Sequence, residues 1–448
     1  PMEYNMRNIV CGAFCLFAFG LTLTSETTEA GNWNTGGSGS TSVVPQTDPG
    51  GPAVNHTRGA ELPQSIRPND NTISLYQDKR IVFMENRRRQ GRTYIVEPAG
   101  NAFDFKFVPN VESKVLDQEL SKGYILSYLF YEDGTVKYNG RAKDGRFRQD
   151  VNDDMLFYTH STGKSITSYI IGHAICEGYI GSIDELIDWP MMRETLYQGQ
   201  PLLDLLNMRA GDKHTVDEKR SHFVMGSKKH HRDMGLNEIA RLLEGTKKQG
   251  RGLFYNNFLA DVLANYVVYK SGDKYDDLMR KVFQEKVKIA HPVSYEKHAS
   301  SLGGSTKDKN SPDYYGQPQT LASYSFFITR MDLLRVAKAI MEDYQNGTCV
   351  GNYLKQIQTK AEPWYRGRNK SPKARFWLNN YAQKYGGQFY FEFIGMKQRN
   401  IFGTEGYNGQ NMLIDMDKSR IVVTNSSATA WDQRTFMLEV IRDGKLPK

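Results

Sequence analysis

The sequence is poor in cysteine and has only one long apolar run. Of its 448 residues, 4 are cysteine, so the chain is not a small disulfide-rich scaffold. The apolar run lies near the start, at residues 9–23, and no second one follows. Because a membrane-spanning helix needs about 20 apolar residues, we expect the rest of the chain to be soluble.

Motifs that mark several large protein classes are also absent. The sequence contains no G-x-S-x-G element of the α/β-hydrolases, and no phosphate-binding or dinucleotide-binding glycine pattern. The formal net charge is +8, which favours anionic surroundings without fixing a function. The densest basic run, Arg87-Arg88-Arg89 with Arg92, is typical of a solvated face. We therefore predict no cofactor and no nucleic-acid partner.

Four histidines lie in one polar stretch in the middle of the chain. They are His214, His222, His230 and His231. Imidazole is a common zinc ligand, but this spacing fits no zinc site on one helix face. We therefore predict a solvated loop here and no metal.

The first part of the chain is predicted to be a targeting segment followed by a linker. Met6-Arg7-Asn8 places a positive charge before the apolar residues 9–23, and Thr28-Glu29-Ala30 provides a cleavage site. This order predicts a secretory signal peptide over residues 1–30, with an uncleaved N-terminal anchor as the alternative. Residues 31–57 are rich in Gly, Ser, Thr, Pro and Asn and predict a flexible linker. A periplasmic or secreted protein is expected.

Two cysteines lie outside the targeting segment, Cys176 and Cys349. Export permits a disulfide between them, but the sequence does not show whether they are close enough to form one. Cys176 falls in a helical apolar pattern, which favours a small buried hydrophobic residue at this position.

The remainder, residues 58–448, is predicted to be one large domain. Patterns typical of strands occur near both of its ends: 124–131, 135–138, 388–394, 411–415 and 420–424. The first two flank an Asp-Gly turn and predict a hairpin. Helical patterns dominate the middle, over about residues 183–354. We therefore predict an α+β fold, in which an antiparallel sheet built from both ends is flanked by helices and carries an inserted, mostly helical domain.

The clearest chemical motif is Ser161-Thr162-Gly163-Lys164, at the start of an apolar helix. A serine hydroxyl needs a base to become a nucleophile, and positions i and i+3 of a helix face the same way. We therefore expect the Lys164 amine beside the Ser161 hydroxyl. Taken alone, Thr159 or Ser161 also fits a helix N-cap. A second tetrad, Ser271 to Lys274, is predicted to be a turn.

Tyr255-Asn256-Asn257 is a second candidate motif, at the start of another apolar helix. A phenol can pass protons to and from a reacting group, and an amide can orient a substrate carbonyl. Tyr255 and Asn257 are thus the predicted partners of Ser161 and Lys164. A tyrosine with only a packing role is the alternative.

Together these stretches resemble the serine β-lactamase-like superfamily, which includes class C β-lactamases, D-Ala-D-Ala peptidases, related esterases and 6-aminohexanoate-dimer hydrolases. The resemblance extends from about Tyr124 to Arg442. Five pieces carry it: Ser161–Thr167, Leu202–Gly211 (the family's LLxMxSG), Tyr255 with Asn257 (Y-x-N), Thr329–Leu333 (T-A-R-D-L) and Gly409-Gln410 (G-G-Q). This resemblance implies the β-lactamase/transpeptidase-like fold.

The resemblance also implies acyl transfer. Ser161 would attack an ester or amide carbonyl, with Lys164 and Tyr255 as general base and acid. The backbone N–H of Ser161 would form half of an oxyanion hole, with the other half on the strand near residues 403–406. The implied substrate and oxyanion residues are Asn257, Gly403, Thr404, Gly406 and Gly409.

The third motif of the superfamily, usually K-T-G or H-x-G, is altered. Two registers remain open, Ile401-Phe402-Gly403 and Thr404-Glu405-Gly406. Neither contains the Lys or His that holds a substrate carboxylate, and Glu405 would repel one. The sequence therefore favours a small-molecule ester or amide as substrate. A β-lactamase or D-Ala-D-Ala carboxypeptidase is the alternative, and an inactive binding protein on the same scaffold is a second; the oligomeric state is left open.

Overall fold

The computed structural model describes residues 93–142, 151–215, 234–250, 252–297, 320–364, 377–427 and 431–448. The chain divides into two compact units, residues 1–53 and 54–448, and all described residues belong to the second. The predicted signal peptide and linker lie outside the described residues, as do the basic run at residues 87–92 and three of the four histidines. The assignments made for these segments stay predictions.

The secondary structure of the described residues alternates short strands and helices. The strands are β1 (Thr93–Val96), β2 (Lys106–Phe107), β3 (Ile125–Glu132), β4 (Thr135–Arg141), β5 (Leu156–Tyr158), β6 (Val293–Lys297), β7 (Thr320–Thr329), β8 (Glu362–Pro363), β9 (Lys384–Gly386), β10 (Phe389–Phe391), β11 (Ile401–Gly403), β12 (Asn411–Asp415) and β13 (Arg420–Ser426). The α-helices are α1 (Lys114–Ser121), α2 (Thr162–Cys176), α3 (Leu202–Leu206), α4 (Leu236–Leu243), α5 (Phe258–Ser271), α6 (Tyr275–Arg280), α7 (Arg330–Asn346), α8 (Cys349–Thr359) and α9 (Val440–Asp443). Wider π-helical turns follow α6 at Lys281–Val287 and precede α9 at Arg434–Glu439.

The described residues form a nine-stranded sheet with the order β2-β4-β3-β13-β12-β11-β10-β9-β8. Strand β3, from the start of the domain, pairs antiparallel with β13 from its end, and Tyr128 lies opposite Thr424. Most neighbouring pairs are antiparallel, whereas β2 and β4 run parallel. The two ends of the domain therefore share one sheet, and the predicted α+β fold is confirmed.

The strand predicted at residues 388–394 is shorter in the structure. Only Phe389–Phe391 is extended. Gln388 and Glu392, on either side, adopt positive φ angles of 67° and 53°. Left-handed backbone of this kind cannot continue a β-ladder, so the strand ends at both of these residues.

A second, four-stranded sheet with the order β1-β6-β7-β5 was not predicted. Its strands β6 and β7 lie within the stretch predicted as a helical insertion, beside the helices α3 to α7. Strand β5 leads directly into α2, and β7 leads directly into α7. This small sheet therefore carries the start of the helix that contains the Ser161 tetrad.

Helix α2 is buried on almost every side, as expected for a helix that is apolar all round. It packs against β7, α5 and α8. Glycine permits one of these close contacts, because a Cβ atom at Gly163 would lie 2.8 Å from the carbonyl oxygen of Ala322 in β7. The start of α2 is thus held firmly against the small sheet.

The far end of α2 is fixed covalently. Cys176 forms a disulfide with Cys349, with the two Cα atoms 5.8 Å apart. The interpretation of Cys176 as a small buried hydrophobic residue is therefore wrong, because helical periodicity gives no information about a partner on another helix.

None of the described helices combines the length and apolar character that crossing a membrane requires.

Candidate active site

Ser161 lies at the junction between β5 and α2. The preceding residue, His160, has a φ angle of 50°, so the chain turns sharply there. Ser161 is half-buried, and its side chain makes no capping bond to the helix. The Thr159 hydroxyl donates instead to the carbonyl oxygen of Phe326, at 2.9 Å. The N-cap explanation of the Ser161 motif is therefore excluded, and its hydroxyl is available for chemistry.

Lys164 lies beside Ser161 as its helical spacing predicts. Its Nζ donates to Ser161 Oγ at 2.9 Å, to Asn257 Oδ1 at 2.6 Å and to the carbonyl oxygen of Ser323 at 2.9 Å. The side chain is only 1% exposed. An ammonium group has three N–H donors, so these three oxygens match it in number.

The same arrangement suits an amine that has lost one proton. A neutral amine keeps two N–H donors and gains one lone pair. If the oxygens of Asn257 and Ser323 accept the two N–H bonds, the lone pair faces Ser161 Oγ. The site can therefore hold the amine in the orientation needed to remove the hydroxyl proton.

The Tyr255 ring also contacts this amine. Lys164 Nζ is 4.9 Å from the centre of the Tyr255 ring, within the range of a cation–π contact. The ring is supported edge-on by Trp364 and Tyr385, with centroid distances of 6.1 and 5.8 Å. The structure thus places Ser161, Tyr255 and Asn257 around Lys164.

The start of α5 explains why Asn257 is available to Lys164. Helix α5 begins after Asn257, but Asn257 makes no side-chain capping bond. The neighbouring Asn256 performs this role, because its Oδ1 accepts the N–H of Leu259 at 2.9 Å. The Asn256 amide therefore caps the helix. This leaves the Asn257 amide oxygen to accept from Lys164 Nζ.

A buried carboxyl group supports Asn256 from behind. Asp212 Oδ2 accepts hydrogen bonds from Asn256 Nδ2 at 3.1 Å and from the Tyr197 hydroxyl at 2.9 Å. Burial is the main cause that raises the pKa of Asp212 to about 6, although these hydrogen bonds act in the opposite direction. Sequence reasoning missed Asp212, which directly follows the stretch compared with LLxMxSG.

The turn after β11 meets the start of α2. Thr162 Oγ1 donates to the carbonyl oxygen of Gln410 and lies 3.1 Å from Thr404 Oγ1. A Cβ atom on Gly406 would overlap the carbonyl oxygen of Thr159. Of the two registers left open for the third motif, the structure therefore favours Thr404-Glu405-Gly406.

Gly403 and Gly409 pack against residues of other segments. Gly403 pairs with Leu413 inside the large sheet, and a Cβ atom there would overlap the Phe393 ring. Gly409 has a φ angle of 85° and packs against Trp431. Their place among the substrate and oxyanion residues stays a prediction.

Glu405 is held at the edge of the site. Its Oε2 accepts the backbone N–H of Asn379 at 2.7 Å, and its side chain is half-buried. A carboxyl side chain therefore lies within the Thr404-Glu405-Gly406 segment, next to the residue that contacts Thr162. No group of three or more His, Cys, Asp or Glu side chains within the described part of the chain is arranged to bind a metal ion.

Comparisons with known proteins support the fold. The sequence matches no protein-family model and no curated protein. Among solved structures, "Putative 6-aminohexanoate-dimer hydrolase from Bacillus anthracis" aligns with a TM-score of 0.54 and 14% identity, over 85% of this chain and 100% of the other. The D-amino acid amidase from Ochrobactrum anthropi SV3 aligns with a TM-score of 0.49 and 16% identity, over 73% and 94% of the two chains. The class C β-lactamase from Rhodobacter sphaeroides aligns with a TM-score of 0.47 and 15% identity, over 70% and 92%.

The first of these alignments spans most of this chain and the whole of the other one. At such low identity it establishes the fold. The chain therefore has the fold of the serine β-lactamase-like hydrolases, and the resemblance seen in the sequence is confirmed at that level.

Proposed function

We propose that the protein is an exported serine hydrolase that cleaves an ester or an amide through an acyl-enzyme on Ser161. The observation that carries this proposal is the contact of Lys164 Nζ with Ser161 Oγ, at 2.9 Å. Two further oxygens hold the same amine, those of Asn257 and Ser323. A base in a fixed orientation beside a hydroxyl is the arrangement that nucleophilic catalysis requires.

In the first half of the reaction, Ser161 Oγ bonds to the substrate carbonyl carbon as its proton passes to the neutral amine of Lys164. The developing oxyanion is stabilised by the backbone N–H of Ser161 at the start of α2 and by a backbone N–H near residues 403–406, where β11 passes into the following turn. The C–O or C–N bond of the substrate then breaks, and the proton goes to the leaving group through Lys164 and Tyr255.

In the second half, water attacks the acyl carbon. Lys164 and Tyr255 accept its proton and return one to Ser161 Oγ as the acid product leaves. Neither half requires a metal or an organic cofactor, since every proton that moves has a donor and an acceptor among these residues.

The substrate is proposed to be a small ester or amide whose binding needs no carboxylate. Thr404 and Glu405 stand where a Lys or His would hold such a group, and Glu405 would repel it. One solved structure with a similar fold is described as a 6-aminohexanoate-dimer hydrolase. That name supports only the cleavage of an amide bond, because the dimer itself ends in a carboxylate. A β-lactam antibiotic is a poorer candidate, because it carries a carboxylate.

Covalent labelling with a fluorophosphonate probe tests the proposal. We expect wild-type protein to be labelled and Ser161→Ala to be unlabelled. Lys164→Arg should label at least about 100-fold more slowly, because arginine keeps its proton and cannot act as a base. Ser271→Ala is the matched control, since Ser271 belongs to the other S-x-x-K tetrad and donates to the carbonyl oxygen of Val267. It should label normally.

Unlabelled wild-type protein would favour the inactive binding protein, and labelling that persists in Ser161→Ala would contradict the assigned nucleophile. Hydrolysis of nitrocefin faster than of short p-nitrophenyl esters would favour a β-lactamase instead.

A further inference from the structure

We propose that Asp261 is a positioning residue for Lys164, acting through the backbone of β7. This inference rests on the proposed function of the Ser161 site. Asp261 lies on α5 and binds the segment of β7 that supplies one of the oxygen acceptors of Lys164. The small sheet is irregular at this segment.

Strand β7 bulges away from its neighbour β6. Tyr295 of β6 pairs with Phe326 of β7, whereas the next residue, Glu296, pairs with Leu321. Residues 322–325 of β7 therefore lie outside the regular ladder. Backbone N–H groups that leave a ladder in a buried region need other acceptors.

Asp261 is the acceptor for the first two of these N–H groups. Its Oδ1 accepts from Ala322 N at 2.7 Å and from Ser323 N at 2.8 Å. The Asp261 side chain is completely buried. Two backbone N–H groups therefore converge on one buried oxygen, and this pair of bonds fixes the start of the bulge.

The other side of the bulge faces α2. The carbonyl oxygen of Ser323 accepts from Lys164 Nζ at 2.9 Å. The carbonyl oxygen of Ala322 lies against Gly163, where a Cβ atom would be only 2.8 Å away. The bulge is therefore held between a carboxylate on α5 and the Lys164 amine on α2, and the position of the Ser323 oxygen depends on both.

Residues of helix α5 therefore position both oxygens that orient the amine, Asn257 Oδ1 and the Ser323 carbonyl oxygen. Asn257 and Asp261 are four residues apart, so they lie on the same face of the start of this helix. Asn257 contacts Lys164 directly at 2.6 Å, whereas Asp261 acts through Ser323. If the Ser323 oxygen moves, the lone pair of the neutral amine is no longer aimed at Ser161.

Asn265 provides a matched control one helical turn further on. It is also fully buried and also binds β7, because its side chain exchanges two hydrogen bonds of 2.8 Å with the backbone of Thr320. Thr320 is paired with Lys297 in the regular ladder. Loss of Asn265 should therefore weaken the sheet without moving the Ser323 carbonyl.

The experiment compares fluorophosphonate labelling of purified wild-type, Asp261→Asn, Asp261→Ala and Asn265→Ala proteins over a range of probe concentrations. A displacement of a catalytic group by about 1 Å can cost about 100-fold in rate. We therefore expect the maximal labelling rate of Asp261→Ala to fall by about 10–100-fold, while the probe concentration for half-maximal rate changes less than about twofold.

Asp261→Asn should restore the rate to within about threefold of wild type, because the asparagine Oδ1 can accept the same two N–H bonds. Asn265→Ala should lower the melting temperature but keep the wild-type maximal rate. If Asp261→Ala does not fold, Asp261→Glu replaces it; the longer side chain displaces the bulge, and about a tenfold lower rate is expected.

The inference is overturned if folded Asp261→Ala or Asp261→Glu labels as fast as Asn265→Ala while wild-type protein is labelled at Ser161. It is also overturned if Asp261→Asn labels as slowly as Asp261→Ala. Absence of wild-type labelling is a different result, because it removes the proposed function itself.

Discussion

Burying an ammonium group is costly unless its N–H donors are bonded, and Lys164 meets this requirement with three oxygen acceptors. Two of the three belong to residues already singled out by sequence patterns, Ser161 and Asn257. The third is the backbone carbonyl of Ser323, which every residue type carries and which no side-chain pattern can reveal. Side-chain patterns thus pointed to Ser161 and Asn257, whereas the Ser323 carbonyl and the buried Asp212 side chain were found only in the structure.

Asp212 gives a prediction at the residue scale. Its pKa is raised from its ordinary value of 3.8 to about 6 by burial. Between these values the folded protein holds a proton that the unfolded chain has released, so the free energy of unfolding falls as the pH rises from about 4 to 6. The loss is on the order of 3 kcal/mol and is complete above about pH 6.

Asp212→Asn removes this titration and keeps an oxygen that can accept from Tyr197. We expect the variant to gain stability relative to wild type as the pH is raised, by on the order of 3 kcal/mol between pH 4 and pH 7. Urea unfolding of both proteins across this range measures the difference. Parallel stability curves for the two proteins would contradict the raised pKa.

At the scale of elements, the fit between the turn after β11 and the start of α2 is set by Gly406. A side chain there would overlap the carbonyl oxygen of Thr159, two residues before Ser161. We expect Gly406→Ala to lower the free energy of unfolding by about 1–3 kcal/mol, because backbone atoms have to move. Labelling of Ser161 should slow by about tenfold or more.

Gly252→Ala is the control for this prediction. Within the part of the chain that the structure describes, no atom beyond its chain neighbours lies within 4 Å of the position that its Cβ would occupy, and its φ angle is not in the left-handed region. Its stability should stay within about 0.5 kcal/mol of wild type. Equal urea midpoints for the two variants would show that the turn tolerates a side chain at Gly406.

Elements were predictable where one periodicity extends over many residues. In helices α2 and α5 apolar residues recur along the whole helix, and the β3–β4 hairpin has an Asp-Gly turn between two runs rich in aromatic and β-branched residues. All four strands of the small sheet, β1, β5, β6 and β7, were missed. Strand β6 has only five residues, and β7 is interrupted by its bulge, so neither has a long enough alternating pattern to be distinguished from its helical surroundings.

At the scale of the whole molecule, the disulfide between Cys176 and Cys349 closes a segment with a sequence separation of 173. Closing so long a loop restricts the unfolded chain, and we expect its removal to lower the free energy of unfolding by about 2–5 kcal/mol. Urea unfolding of wild-type protein with and without a reductant tests this expectation.

The double variant Cys176→Ser/Cys349→Ser is the control, and its urea midpoint should not respond to the reductant. Ser161 labelling of the folded double variant should persist, since the disulfide is at the opposite end of the 15-residue helix α2. A wild-type midpoint that is the same with and without the reductant would mean that the bond does not contribute to stability.

The sequence by itself determined the shared sheet, the apolar helix that begins after Ser161, and the pairing of Ser161 with Lys164. These features follow from local repeats of two and about 3.6 residues, and from the i, i+3 geometry of a helix. The tertiary structure alone revealed the contact of Thr404 with Thr162, the disulfide, and the link from Asp261 through Ser323 to Lys164. Each of these joins backbone or side-chain atoms from distant parts of the chain, and a short sequence pattern carries no information about which distant segments meet.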